Sequence, residues 1–174
     1  LLVLAGSILA AAIVNIDCKA APMTAIEIQR QFASGVSSSV ATEKALKVIA
    51  ATDDDYQAVI VSGGSAVLAT TKRLDDLSPA ERVLLPLGSV PILVKDNIET
   101  IEWPTTAGSL ALTDNLTGRD AGLISRLRES GAIILGKTNL SEWANFRSEK
   151  SMSGWSGVRG QTRNAFDLTR SPCG

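Results

Sequence analysis

Two hydrophobic periods alternate along this chain and divide it into helices and strands. In "TAIEIQRQF", residues 24–32, Ala25, Ile28 and Phe32 share one helical face. Thr24 and Glu27 have the spacing of a capping box, in which hydroxyl and carboxylate each take an orphan backbone N–H. "GVSSSV" breaks this helix, and Leu46 and Ile49 mark a second amphipathic helix over 42–51. "AVIV" (58–61) is a short, fully apolar run and reads as a buried strand. Gly63-Gly64 and a helix over 65–74 follow it. "SPAE" (78–81) repeats the capping box with Pro79 at the first helical position, and Pro86 and Gly88 stop that helix early.

The second half keeps the alternation. "PILVK", Pro91 to Lys95, is an apolar strand that runs into a lysine. "DAGLISRLRESG" predicts a helix capped by Asp120, with Leu123, Ile124 and Leu127 facing inward and Gly131 as its stop. "AIIL" (132–135) is the next buried strand, and Ser141 opens a further helix, "SEWANF". Helices alternating with fully apolar strands predict an α/β fold, with a mixed, largely parallel sheet covered by helices on both faces. From Arg147 the chain turns polar and rich in Gly and Ser without sustained periodicity, the mark of a long loop that is functional or unfinished.

Leu1 to Val14 is of another kind, an uncharged apolar run of 14 residues. It suits the h-region of a signal peptide and falls short of the ~20 residues needed to span a bilayer. Cys18 and Ala20 would stand at −3 and −1 of a cleavage after Ala20. Residues 1–20 therefore read as a signal peptide and the protein as secreted, or periplasmic in a bacterium; a buried core helix is the alternative. With neither an initiator Met nor a basic n-region, the chain is expected to start inside its reading frame. Removal of Cys18 would leave Cys173 alone, which makes neither a disulfide framework nor a metal cluster.

Composition narrows the chemistry. Net charge is −1 over 174 residues, so nothing favours nucleic acid or an anionic surface. There is no histidine, which removes Ser-His-Asp and Cys-His nucleophile systems within these residues. Acid–base work here falls to lysine, carboxylate or tyrosine. Gly63-Gly64 follows a strand but has neither GxGxxG nor GxxxxGK[ST] around it, and reads as a tight βα turn. Lys95 is the best candidate for chemistry. A lysine buried behind an apolar strand is pushed toward its neutral amine and can serve as a base. Two other readings stay open: a side chain reaching past the strand end to water, or one paired with Asp96. Lys137 follows a strand in the same way, and spacing does not separate the two. Asp96 and Asn97 read as turn formers.

"PLGSVPILVKDNIET", "TTAGSLAL", "DAGLISRLRESGAIILGKTNLSEWANF" and "SGWSGVRGQTRN…SPCG" together resemble the amidase signature family, in the branch of peptide amidases and secreted fungal amidases. The resemblance runs from about Thr24 to Gly174. It implies a serine hydrolase that needs no histidine, metal or organic cofactor, acting on small amides or peptide C-terminal carboxamides. Lys95 matches the base of the family's Ser–cis-Ser–Lys triad, which takes a proton from the nucleophilic serine through a bridging serine. Lys95 would then be buried so that it can be neutral. Family members continue after "PCG" with a serine-rich stretch. Residues 21–174 are thus expected to be the N-terminal part of an amidase domain, holding one of three triad members and inactive alone. Relatives commonly carry a histidine where Gly88 and Ser89 precede the lysine strand here.

The resemblance also places "TTAGS" near the site, with Thr106, Gly108 and Ser109 as candidate substrate-loop residues; a purely structural turn is the other reading. Asn115 and Asn139 lie in N-x-[ST] sequons. Asn115 is expected to be exposed and glycosylated in a eukaryote, and Asn139 to be inaccessible. Two rivals remain: a non-catalytic truncated or degenerate relative that binds, and an amidotransferase-type protein that passes ammonia to a partner. Oligomeric state is not legible.

Overall fold

Both capping boxes form. Thr24 Oγ1 accepts from Glu27 N while the Glu27 carboxylate accepts from Thr24 N, and Ser78 with Glu81 does the same. They open helices α1 (Ala25–Ala33) and α4 (Pro79–Val83). The computed structural model describes residues 23–146, 149–150 and 152–173. The expected signal peptide and its cleavage site lie outside the described residues. The remaining helices are α2 (Ser39–Tyr56), α3 (Gly64–Asp75) and α5 (Gly122–Glu129). Helix α2 outruns its expected bounds at both ends.

Strands β1 (Val59–Ser62), β2 (Pro91–Lys95) and β3 (Ile133–Thr138) form one sheet in the order β1-β3-β2. β2 runs parallel to β3 and β1 antiparallel, so the sheet is mixed as expected. β3 is the central strand and the most deeply buried of the three. The edge strands β1 and β2 are only partly buried, where continuous burial was expected. Ile133 and Leu135 face one core with Phe32, Val67 and Leu74. Ile134 faces a second with Val94 and Ile124. α1, α2 and α3 therefore cover one face and α5 the other, and Trp103 packs against both cores. Each fully buried aliphatic or aromatic side chain contributes roughly 1.5–3 kcal/mol, so the face carrying five of them is the stronger half.

Three local expectations fail, each because a long-range contact wins. Asp120 does not cap α5. Its carboxylate accepts from Ile101 N (2.9 Å) and pairs with Arg128 (2.9 Å), and Ala121 takes the cap position. The helix is rotated accordingly: Ile124 is 1% exposed and Leu127 packs inward, but Leu123 faces solvent. "SEWANF" makes no α-helix. Trp143, Ala144 and Asn145 take left-handed backbone conformations with φ of 51°, 54° and 65°. Trp143 N donates to Ala107 O, and Glu142 accepts from Gly157 N, which pulls the segment out of helical register. Beyond residue 147 the polar stretch is tied down by a small hairpin, β4 (Trp155–Ser156) with β5 (Gly160–Gln161).

Candidate active site

Lys95 ends β2, at the carboxyl end of a strand parallel to its neighbour, where α/β sheets commonly bind ligands. Its side chain is exposed. This corrects the expectation of a buried Lys95: β2 is an edge strand, and the described residues leave its end open. Among the described residues Lys95 forms no ion pair.

The buried lysine is Lys137, 0% exposed on the central strand. Its Nζ meets Asp96 Oδ1 at 3.0 Å and donates to Thr105 Oγ1 (3.1 Å) and Pro104 O (3.3 Å). Asp96 is equally buried. Its Oδ2 accepts from Thr106 N (3.1 Å) and from Thr106 Oγ1. Its backbone N donates to Thr138 O and its carbonyl accepts from Ala107 N. Asp96 was expected to be a turn former, or Lys95's partner. It does stand at a turn, but the ion pair is with Lys137. Sequence reasoning missed this pair. The one available signal was that every position of "AIILGK" ahead of Lys137 is apolar or glycine, which leaves its side chain no wet face.

The segment 105–109 packs directly on this pair. Thr106 Oγ1 accepts from Gly108 N (3.0 Å), and Ser109 Oγ accepts from Ala111 N. Both side chains are buried and occupied within the loop, so Thr106 and Ser109 shape it rather than present free hydroxyls. Gly108 has φ +76°, and a Cβ there would stand 2.8 Å from Ser156 Cβ and 3.3 Å from Glu142 Cα. Only glycine allows that approach. Gly108 O accepts from Val158 N, which brings the hairpin segment against the loop. The motifs "VKDN", "TTAGS", "SEW" and "GWSGV", dispersed in the sequence, are thus contiguous in space.

Two side chains hold the far rim. Asn139 Nδ2 donates to Thr162 Oγ1 (2.9 Å) and Gly160 O (3.0 Å), with Gln57 O and Gly154 O at 3.4 Å. This sequon asparagine is occupied, in keeping with its expected inaccessibility. Asp53 accepts from Ala58 N and Val59 N and pairs with Arg159 (2.9 Å), tying the end of α2 to the hairpin. Asn115 is exposed, with Nδ2 donating to Thr105 O.

The site thus combines an α/β sheet, a lysine at the carboxyl end of a strand, and a glycine-shaped loop fixed by a buried ion pair. The chain belongs to the Amidase family, whose model matches residues 40–174. It is 40% identical over 142 residues to a probable amidase of Arabidopsis thaliana, covering 80% of this chain and 28% of that protein. It is 38% identical over 140 residues to a glutamyl-tRNA(Gln) amidotransferase subunit of Mycolicibacterium gilvum, covering 80% of this chain and 27% of that protein. Among solved structures, the native peptide amidase of Stenotrophomonas maltophilia superposes with a TM-score of 0.82 at 41% identity, over 90% of this chain and 32% of that one. The chain therefore spans less than a third of the length of these relatives.

Proposed function

We propose that this chain is part of an amide hydrolase that cleaves small or peptide C-terminal carboxamides, with Lys95 as its base. The observation that carries the reading is the position of Lys95. It is an exposed side chain at the carboxyl end of β2, next in sequence to Asp96, whose carboxylate holds the 105–109 loop, within a fold shared with a peptide amidase across 90% of the chain. In this mechanism the Lys95 amine accepts a proton through a bridging serine from a nucleophilic serine, which attacks the carboxamide carbon. Lys95 returns that proton through the bridging serine to the departing nitrogen, ammonia leaves, and water hydrolyses the acyl-enzyme. Both serines would come from a polypeptide of the relatives' length. A lysine base works as the free amine, which desolvation favours. That desolvation has to come from bound substrate and the rest of such a polypeptide. The test is ammonia release from a peptide amide by the full-length protein, with Lys95→Ala as control.

The identity to glutamyl-tRNA(Gln) amidotransferases favours a second reading, in which ammonia is passed to a partner rather than released. A stable complex with a second protein, together with glutamine-dependent amide transfer, would replace the first reading by this one. For localisation we propose export directed by the apolar segment 1–14; N-terminal sequencing of secreted protein that still begins at Leu1 would refute it.

A further inference from the structure

We infer that the buried Lys137–Asp96–Thr106 network is a positioning device for Lys95, an inference that rests on the amide hydrolase reading above. Three segments meet at the end of β2: the strand itself, β3, and the 104–108 loop. One carboxylate joins all three. Asp96 Oδ1 holds Lys137 of β3, and Oδ2 holds both polar groups of Thr106 in the loop. Lys137 closes the ring through Thr105 Oγ1 and Pro104 O. Asp96 follows Lys95 in sequence, so fixing its side chain, N–H and carbonyl fixes the backbone from which the Lys95 side chain departs.

Stability alone is a weak reason for such a pair. Buried ion pairs can often be replaced by apolar residues of similar volume with little loss, whereas removing one partner is severe. Elsewhere in the core, the buried hydroxyls of Ser38, Thr42 and Ser89 are each satisfied by a backbone carbonyl, that of Thr71 or of Ser38. The charged network occurs beside the candidate base and spans the segments that frame it. A base that moves by about 1 Å can cost on the order of 10²-fold in rate.

The test uses the full-length protein and four variants: Lys137→Met, Lys137→Met with Asp96→Leu, Lys137→Met with Asp96→Asn, and Lys95→Ala. Turnover of a peptide amide is measured as kcat and KM separately, and folding by thermal melting. Lys137→Met alone should be the least stable of the set, because it strands a buried carboxylate. Both double variants should regain stability, the Asp96→Leu double less of it because the buried Thr106 N and Oγ1 lose their acceptor. The Asp96→Leu double has no acceptor for Thr106, and its kcat should fall on the order of 10²-fold with KM little changed. The Asp96→Asn double keeps that acceptor and should recover most of the loss. If kcat instead follows melting temperature across the set, or both doubles turn over like wild type, the network is merely structural and the inference fails. Lys95→Ala separates the two levels. Should it retain turnover, the catalytic reading itself is wrong; should it be inactive beside a fully active Asp96→Leu double, only the positioning role is wrong.

Discussion

Gly136→Ala tests how tightly the sheet beneath the site is closed. Gly136 lies in the central strand opposite Ser62 of β1. A Cβ built there would fall 2.0 Å from Val61 O, 2.9 Å from Val61 C and 3.0 Å from Ser62 Cα. All three are backbone atoms, so no side-chain rotation relieves the clash. β1 must shift by about 1 Å, the scale on which overpacking costs ~1–3 kcal/mol. The shift also strains the bonds that hold β1 to β3, including Gly63 N to Leu135 O at 2.8 Å. With about 1 kcal/mol for each of one or two weakened hydrogen bonds, the total is roughly 2–5 kcal/mol. Against a typical stability of ~5–15 kcal/mol that is a large fraction. The assay is urea unfolding of the full-length protein followed by far-UV circular dichroism, with Gly122→Ala as comparison. Gly122 opens α5 and its Cβ would meet only Arg126 Nη1 at 3.6 Å. Alanine there should be neutral or stabilising by up to ~1 kcal/mol. A Gly136→Ala protein within about 0.5 kcal/mol of wild type would mean that β1 does not close on Gly136 as tightly as described.

Two further predictions concern charge and modification. Partial burial pushes the Asp75 carboxyl up, but hydrogen bonds from Ser38 N and Ser37 Oγ outweigh it and hold the group below its ordinary value. A depressed carboxyl stabilises above its ordinary value, 3.8, and loses that contribution as pH falls through the folded-state value. Asp75→Asn should therefore cost about 1–2 kcal/mol at pH 7, and the gap from wild type should close in acid; a gap constant from pH 7 to pH 2 would contradict this. In a eukaryotic host Asn115 should carry a glycan, seen as a mass decrease on glycosidase treatment, whereas Asn139, clamped by four acceptors, should not. A mass loss traced to Asn139 would reverse that assignment.

The two lysines show how much of the site was legible in the sequence and why the rest was not. Lys95 and Lys137 each follow an apolar strand, and local pattern treats them alike. They differ because β3 is central and β2 is an edge, a fact of sheet order that no short window contains. The burial argument, applied locally, describes Lys137; the family resemblance supplied Lys95 as the base. The capping boxes at Thr24 and Ser78 were legible because all their partners lie within four residues. Asp120 and "SEWANF" were misread because their polar groups answer to Ile101, Arg128, Ala107 and Gly157, 8 to 36 residues away. The α/β class and the three strands of the main sheet came through, since burial on β3 leaves a continuous apolar run, whereas the β4–β5 hairpin lies in a stretch that read as loop. The contiguity of the four motifs around the 105–109 loop emerged only in three dimensions.

The most direct measurement is ammonia release from a peptide C-terminal amide by the full-length protein, wild type against Lys95→Ala, with folding of both checked by circular dichroism. The account predicts turnover by the wild type and a loss of at least about 10³-fold in kcat/KM for a folded Lys95→Ala protein. Near-wild-type turnover by Lys95→Ala would contradict it.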